Sequence, residues 1–482
     1  MPYRWVLREH LQLAGFLVKW LALAIPLGVV IGSAVALFLW SLDRATELRW
    51  EHPWLLYLLP LAGAAIALLY QYLGKESEAG NNLILDEIHE PAAGVPLRMA
   101  PLVFVGTILT HLFGGSAGRE GTAVQMGGSL ASQYARWLRS NSEDARLLLM
   151  AGIAAGFGAV FGTPLTGAIF ALEVLALGQM NYRAMLPCLI ASIVGDYTTS
   201  AWGIGHTHYS IHALTQVGLI EHAPRLNWWL AGKVTIAAAC FGLCSVLFAE
   251  FAHSLHHWFK RTIRWPALRP LVGGLIVIAL VWTVGNRDYL GLGVNADPAT
   301  PQAVTIQSCF RPGGAEWFSW AWKILFTVVT ISSGFKGGEV TPLFFIGAAL
   351  GHVLGLLLGV PVDFMAGLGF VAVFAGATNT PLACTIMGIE LFAPGNGELL
   401  QSGFVVYLAI ACYVSYFLSG HTGIYLSQRV GSPLTSSFEH FSAGSIRSIR
   451  DGRTGGTNFP AEEKTELENK TKSGPESGAK NS

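Results

Sequence analysis

Five stretches of this chain run for 23 to 30 residues without a charged side chain: Trp20–Leu42, Leu147–Leu172, Val340–Val362, Phe364–Ile389 and Leu399–Gln428. As a helix, an apolar run of that length crosses the roughly 30 Å hydrocarbon core of a bilayer. Within lipid, every backbone N–H and C=O has to be bonded inside the protein, so open sheets are excluded. The chain is therefore read as an all-α multi-pass membrane protein. Charged residues make up 12% of it, about half the share in soluble domains, which excludes a soluble three-domain enzyme.

The long runs are not plain spanning helices. Leu147–Leu172 contains Gly152, Gly156, Gly158, Gly162, Pro164 and Gly167, a pattern that predicts discontinuous helices with ends at membrane depth. The 56 glycines also predict close helix packing. The chain repeats itself: Thr107, Thr110, Gly114, Gly118 and Gly127 return 220 residues later as Thr327, Thr330, Gly334, Gly338 and Gly347. Thr163-Pro164-Leu165 returns as Thr380-Pro381-Leu382, and nine residues after each proline stands a glutamate, Glu173 and Glu390. Two homologous halves follow, and in membrane proteins such halves form inverted repeats with the transported species at their interface. The expected organisation is an interfacial amphipathic helix over 1–16, membrane repeats over 17–215 and 216–440, and a disordered hydrophilic tail over 441–482.

Net charge is zero without a basic run, so a nucleic-acid partner has no electrostatic footprint. Six scattered cysteines lack metal-like spacing and read as buried thiols. Arg4, Arg8 and Lys19 at one end and Arg429, Arg447, Arg450 and Arg453 at the other place both termini on the cytoplasmic side.

Intramembrane charges are costly and mark function. Gly118-Arg119-Glu120-Gly121 stands in an apolar region at a helix start, where unpaired N–H groups attract anions. A carboxylate there sits in the anion's own seat, and protonation empties it. Glu120 can thus gate an anion and carry a proton; its bland alternative is a pair with Arg119 at a helix end. The second half repeats the form as Gly337-Gly338-Glu339-Val340-Thr341-Pro342, in which Glu339 is either a second gate or a partner of Lys336 or Arg119. Asn81 reads as an N-cap or as a neutral donor to an anion, and Tyr425 as an interface anchor or a phenol donor.

Weaker signals stand beside these. Gly114-Gly115-Ser116-Ala117-Gly118 matches a hydrolase nucleophile pattern, but its flanks are apolar and helical, and the repeat puts Lys336 opposite Ser116. His206, His208, His212 and His222 read as a solvated loop rather than a metal site. Asp86, Glu87, His89 and Glu90 read as a charged helix exit, and His253, His256 and His257 as one face at a helix interface.

Taken together, these motifs resemble the CLC family of anion channels and transporters, over roughly Trp20 to Pro433. GREGT at 118–122 is similar to its gating-glutamate motif, GGEVTP at 337–342 to its second anion-binding motif, and GIYLS at 423–427 to its pore-tyrosine segment. The resemblance implies a fold of two inverted-topology repeats, a homodimer and one pathway per subunit. GNNLI at 80–84 stands where chloride-transporting members have a serine motif. Val174 stands where their proton-coupled members carry a second glutamate. With GREGT and GFKGGEVTP, GNNLI resembles the fluoride-exporting branch. The reading is a fluoride/proton antiporter of the cell membrane, with no cofactor. Glu120 and Glu339 move protons; Gly118, Arg119, Gly121, Asn81, Gly338, Val340, Thr341 and Tyr425 bind the anion. The alternatives are a chloride channel or exchanger of the same family and, remotely, an intramembrane serine hydrolase.

Overall fold

A computed structural model of the chain describes residues 2–207, 209–211, 226–392, 403–431 and 444–453; for residues 2–7, 452 and 453 it describes the backbone alone. The described residues are mostly helical. The first half holds α1 (Pro2–Glu51), α2 (Leu59–Leu73), α3 (Asn81–His89), α4 (Met99–Leu112), α5 (Glu120–Trp137), α6 (Ser142–Phe161), α7 (Pro164–Glu173) and α8 (Met185–Ala201). The second holds α9 (Trp228–Thr262), α10 (Leu268–Val284), α11 (Ser319–Ser333), α12 (Val340–Leu358), α13 (Val362–Thr378), α14 (Pro381–Phe392) and α15 (Phe404–Ser419), with α16 (Ile446–Arg453) after it. Two-residue strands β1 (Ala176–Leu177) and β2 (Arg429–Val430) pair in parallel.

The halves pack alike. In the first, α1 lies on α8, α6 on α8 and α5 on α6; in the second, α9 lies on α15, α13 on α15 and α12 on α13. Glycine permits the closest of these approaches. A Cβ on Gly127 would come within 2.2 Å of the Gly152 carbonyl, and one on its repeat partner Gly347 within 2.1 Å of the Gly369 carbonyl.

The charge-free runs break where the repeated Thr-Pro-Leu stands. α6 ends at Gly162, in the left-handed region at φ 72°, and α7 opens on Pro164, which has no N–H to leave unpaired. α13 ends at Asn379 in the same conformation, φ 58°, and α14 opens on Pro381. Each new helix start is capped by the glutamate of the other half. Glu173 accepts from the N–H groups of Leu382 (3.0 Å) and Ala383 (2.8 Å) at the start of α14. Glu390 accepts from Leu165 (2.9 Å) and Thr166 (2.8 Å) at the start of α7, and from the Thr166 hydroxyl at 2.5 Å. A carboxylate at a helix N-terminus satisfies orphan donors and the helix dipole together.

One face gathers the ends of several elements. Lys19 of α1 bonds Asp144 in the first turn of α6 (2.6 Å), and Arg146 donates to the His89 carbonyl at the end of α3. Arg429 pairs with Glu90. The amino-terminal end of α1 and the segment from Arg429 onward therefore share a side. Two boundaries differ from the sequence reading. Residues 2–16 are not a separate helix, because α1 continues unbroken through Pro26 to Glu51. The tail is helical over 446–453, where Ile446 and Ile449 are buried: two apolar side chains three apart suffice to dock one turn. The boundary at 215/216 and His208, His212 and His222 lie outside the described residues.

Glu173→Gln and Glu390→Gln should each destabilise the protein by about 1–3 kcal/mol, because an amide offers one acceptor oxygen to two helix-start donors. Thermal unfolding in detergent measures this, and an unchanged melting temperature in either variant would show its cap to be dispensable.

Candidate functional site

The two helix starts at the centre of the fold are joined backbone to backbone. Gly118 and Gly338 form an antiparallel bridge, the N–H of each donating to the carbonyl of the other at 2.6 and 2.7 Å. Side chains are excluded there: a Cβ on Gly338 would lie 2.8 Å from the Gly121 nitrogen, and one on Gly118 would lie 2.8 Å from a Glu120 carboxylate oxygen. The loop before α5 is pinned further by Ser116, whose hydroxyl meets that of Thr327 at 2.9 Å and whose N–H donates to Thr330. Ser116 is wholly buried. A serine enclosed in this way, bonded to two threonines of the opposite half, does not serve as a hydrolytic nucleophile.

Glu120, the first residue of α5, is 1% exposed. Its Oε2 accepts from the backbone N–H groups of Arg119 and Thr341, both at 3.1 Å, and its Oε1 from the Thr341 hydroxyl. Thr341 lies in the first turn of α12, so one carboxylate is held by the starts of two helices that belong to opposite halves. Arg119 is a lesser partner, its Nε 3.7 Å away and without a hydrogen bond. The helix-end ion pair is therefore not what places Glu120. Backbone and hydroxyl donors place it, as they would a free anion. Val340 opens α12, so its N–H is one the helix cannot satisfy itself.

Glu339 is half-buried at the N-cap position of α12, and its side chain makes no hydrogen bond or ion pair among the described residues. Neither expected partner reaches it: Lys336 places its ammonium 4.0 Å from the centroid of the Tyr70 ring, and Arg119 stands by Glu120. The N-cap position of α3 is filled by Gly80, at φ 59°, and Asn81 caps nothing. Its amide nitrogen would be 3.2 Å from a Cβ on Gly121, and its Oδ1 is buried without a partner. Tyr425 is buried rather than at an interface, close enough to Glu120 and Glu339 for its phenol to feel both charges. The structure thus gathers Gly118, Arg119, Glu120, Gly121, Asn81, Gly338, Glu339, Val340, Thr341 and Tyr425 around one point.

Two residues in this framework escape sequence reasoning. Asn82 accepts the Ser427 N–H at 3.0 Å and so ties α3 to the Tyr425 segment. That segment is also fixed by Arg447, which donates its N–H to the Leu426 carbonyl and its guanidinium to the Ser427 hydroxyl. Neighbouring residues on a helix point about 100° apart, so Asn81 and Asn82 must serve different places, but sequence alone does not say which. His111 is wholly buried, with its ring nitrogens 2.9 and 3.0 Å from the carbonyls of Thr107 and Ala117; it braces the loop next to Gly118. The other clusters have structural partners. His253 and His256 contact the carbonyls of Gly423 and Ser332, Glu87 accepts from the Ala92 N–H, and His89 contacts the Leu175 carbonyl.

Comparison with known proteins places the chain by overall similarity. A family model described as voltage gated chloride channel matches residues 62–420. The "Chloride/fluoride channel protein" of Pseudomonas syringae pv. tomato is 51% identical over 423 residues, covering 88% of this chain and 89% of that protein. The "H(+)/Cl(-) exchange transporter ClcA" of Yersinia pestis is 28% identical, covering 67% of this chain and 66% of that one. Among solved structures, a CLC-type fluoride/proton antiporter superposes with TM-score 0.76 at 34% identity, covering 86% of this chain and 98% of that one. A slow cyanobacterial Cl-/H+ antiporter shares the fold, with TM-score 0.69 at 19% identity over 91% of this chain and 99% of its own.

Asn82→Ala leaves the buried Ser427 N–H without its acceptor and should cost about 1–3 kcal/mol, with faster hydrogen exchange over Leu426–Gln428. Asn82→Asp, which keeps an acceptor oxygen, should lose less. Equal stability and exchange in the alanine variant would mean that α16 alone holds the Tyr425 segment.

Proposed function

From a chain that belongs to the voltage-gated chloride channel (CLC) family, we propose a fluoride/proton antiporter that exports fluoride, with Glu120 both the gate and the proton carrier. One observation carries this reading: the Glu120 carboxylate occupies a seat made of donors from two opposed helix starts. An ionised carboxylate fills that seat and excludes other anions. Protonation removes the charge the donors hold, the side chain leaves, and an anion takes its place. Return of the carboxylate expels the anion, so protons and anions alternate at one point.

Fluoride is small and tightly hydrated, so binding has to replace its water with close, strong donors. The helix N–H groups, the Thr341 hydroxyl, the Asn81 amide and the Tyr425 phenol are of that kind. The names of the 51% identical relative and the 34% identical structure support fluoride as the substrate. Chloride transport is the second reading, supported by the other half of that relative's name and by the exchange transporter.

Glu173 is engaged in capping α14, and Val174 beside it is buried and apolar, so the end of α7 offers no free carboxylate. Glu339, unpaired beside the seat, is the second protonatable group of the cycle. The protein acts as a homodimer in the cell membrane. Both termini are cytoplasmic, in keeping with the basic residues on the shared face of α1 and the segment after Arg429.

In liposomes, Glu120→Gln should abolish proton uptake driven by a fluoride gradient, since an amide keeps the shape but exchanges no proton. Proton pumping that survives would refute the gate assignment. Glu339→Gln should slow exchange by about tenfold, equivalent to about 1.4 kcal/mol of barrier, and Glu173→Gln by less; the reverse ranking at equal stability would put the proton path on α7. Asn81→Ala should reduce the fluoride-to-chloride flux ratio by about tenfold or more, the worth of one hydrogen bond to a charged group. An unchanged ratio would remove Asn81 from the selectivity machinery.

A further inference from the structure

Arg119, beside the gate, also lines a cavity of about 760 Å³. Its walls are the end of α1, residues 205–207 and the loop from Gly285 to Thr305. The cavity lies at the end of α1 away from the amino terminus, the outer side in the orientation proposed above. Asp43 and Glu47 of α1 and Asp288 and Asp297 of the loop face it, and so do Arg49, Arg119 and Arg287. Carboxylates and guanidiniums are nearly balanced, so the cavity carries no strong field against a proton.

His206 stands in this wall. Its ring packs on Gly162, where a Cβ would come within 2.5 Å of Cδ2. Both ring nitrogens are buried and neither makes a hydrogen bond among the described residues. A polar group left in this condition calls for an explanation. Nε2 lies 3.4 Å from a carboxylate oxygen of Asp196 on α8, and Glu390 lies within electrostatic reach of Asp196. A proton added at Nε2 converts the orphaned contact into an ion pair. The cavity reaches Arg119, the residue before Glu120, and Phe161, adjacent to Gly162, packs on Phe344, one turn from Thr341, with ring centroids 5.3 Å apart. Tyr209, three residues beyond His206, is buried within electrostatic reach of Glu120 and Arg119.

We propose that His206, held by Asp196, is the outer proton acceptor of the exchange cycle, an inference that rests on the antiport reading above. External water delivers a proton to Nε2 of the neutral imidazole, and the imidazolium forms against Asp196. The same proton then passes to the Glu120 carboxylate, which becomes the neutral acid and leaves its seat, while His206 returns to the neutral ring. An imidazole is suited to this step because it exchanges protons across the pH range in which the outer medium varies.

The test is fluoride-driven proton uptake by the full-length protein in liposomes at varied external pH. His206→Gln should lower coupled uptake about tenfold or more near pH 7.5, with recovery to within about twofold near pH 5, where protons reach Glu120 unaided. Asp196→Asn should move the profile in the same direction by less. Placed in the Glu120→Gln background, His206→Gln should leave anion flux unchanged. His206→Asn provides a second variant should the glutamine protein fold poorly. Wild-type uptake at every external pH would overturn the proposal. So would an equal loss at every pH, or a loss of anion flux in the Glu120→Gln background, since both describe a packing role. If the wild type itself takes up no protons under a fluoride gradient, the antiport reading fails, and with it this inference.

Discussion

Two reciprocal hydrogen bonds between Gly118 and Gly338 set the distance between the halves of this protein. Each lies two residues before a helix start, so the bridge brings two sets of unsatisfied N–H groups together in the buried interior. A membrane protein cannot leave such donors bare. The Glu120 carboxylate answers the requirement, and in the proposed cycle an anion answers it once the carboxylate is protonated. Glycine at 118, 121 and 338 allows this, because any side chain there would push the helix starts apart. The seat thus follows from the bridge, and the bridge from the absence of three side chains.

The same requirement recurs at the ends of the spanning runs and is met differently. α6–α7 and α13–α14 break at Gly162 and Asn379, and the proline that opens each new helix removes one donor. The donors after it are bonded by Glu390 and Glu173 from across the pseudo-two-fold. These carboxylates cap helix starts, whereas Glu120 holds the seat for which, in the proposed cycle, an anion competes. The surroundings differ: Glu120 adjoins Asn81, Tyr425 and, through Arg119, the cavity that His206 lines, while Glu173 and Glu390 lie where α7 and α14 meet, bonded to helix-start N–H groups.

Around the seat the donors are chiefly neutral. Asn81 approaches over Gly121, Thr341 supplies a hydroxyl, and Tyr425 is carried on a segment fixed by Asn82 on one side and by Arg447 on the other. Lys336, the nearest basic residue of the second motif, turns away onto Tyr70. Neutral, short-range donors suit a small, strongly hydrated anion that must also be released, because a fixed cation would hold it without distinguishing it by size. With the Glu339 side chain unpaired beside them, the proposed cycle brings anion coordination and proton exchange into one volume.

The sequence by itself determined a good deal. Charge-free runs of spanning length exclude a soluble fold, and glycine and proline inside them predict broken helices. The offset of 220 residues pairs Gly118 with Gly338 before any coordinates are known, and matched positions for Glu173 and Glu390 suggest equivalent roles. These features are legible because lipid as solvent leaves few solutions for an apolar backbone, and symmetry repeats each of them. The directions of side chains and the choice among nearby partners belong to the tertiary structure. Only there does Glu339 prove to lack both Lys336 and Arg119, Asn81 to yield the cap position to Gly80, and Asn82 to reach Ser427, 345 residues away. The helix over 446–453 was hidden for the same reason. Its composition is polar, and what orders it is the docking of Ile446 and Ile449 and the bonds of Arg447 to a distant loop. Contacts of that kind depend on which surfaces the fold brings together, and a local pattern of residues carries no record of them.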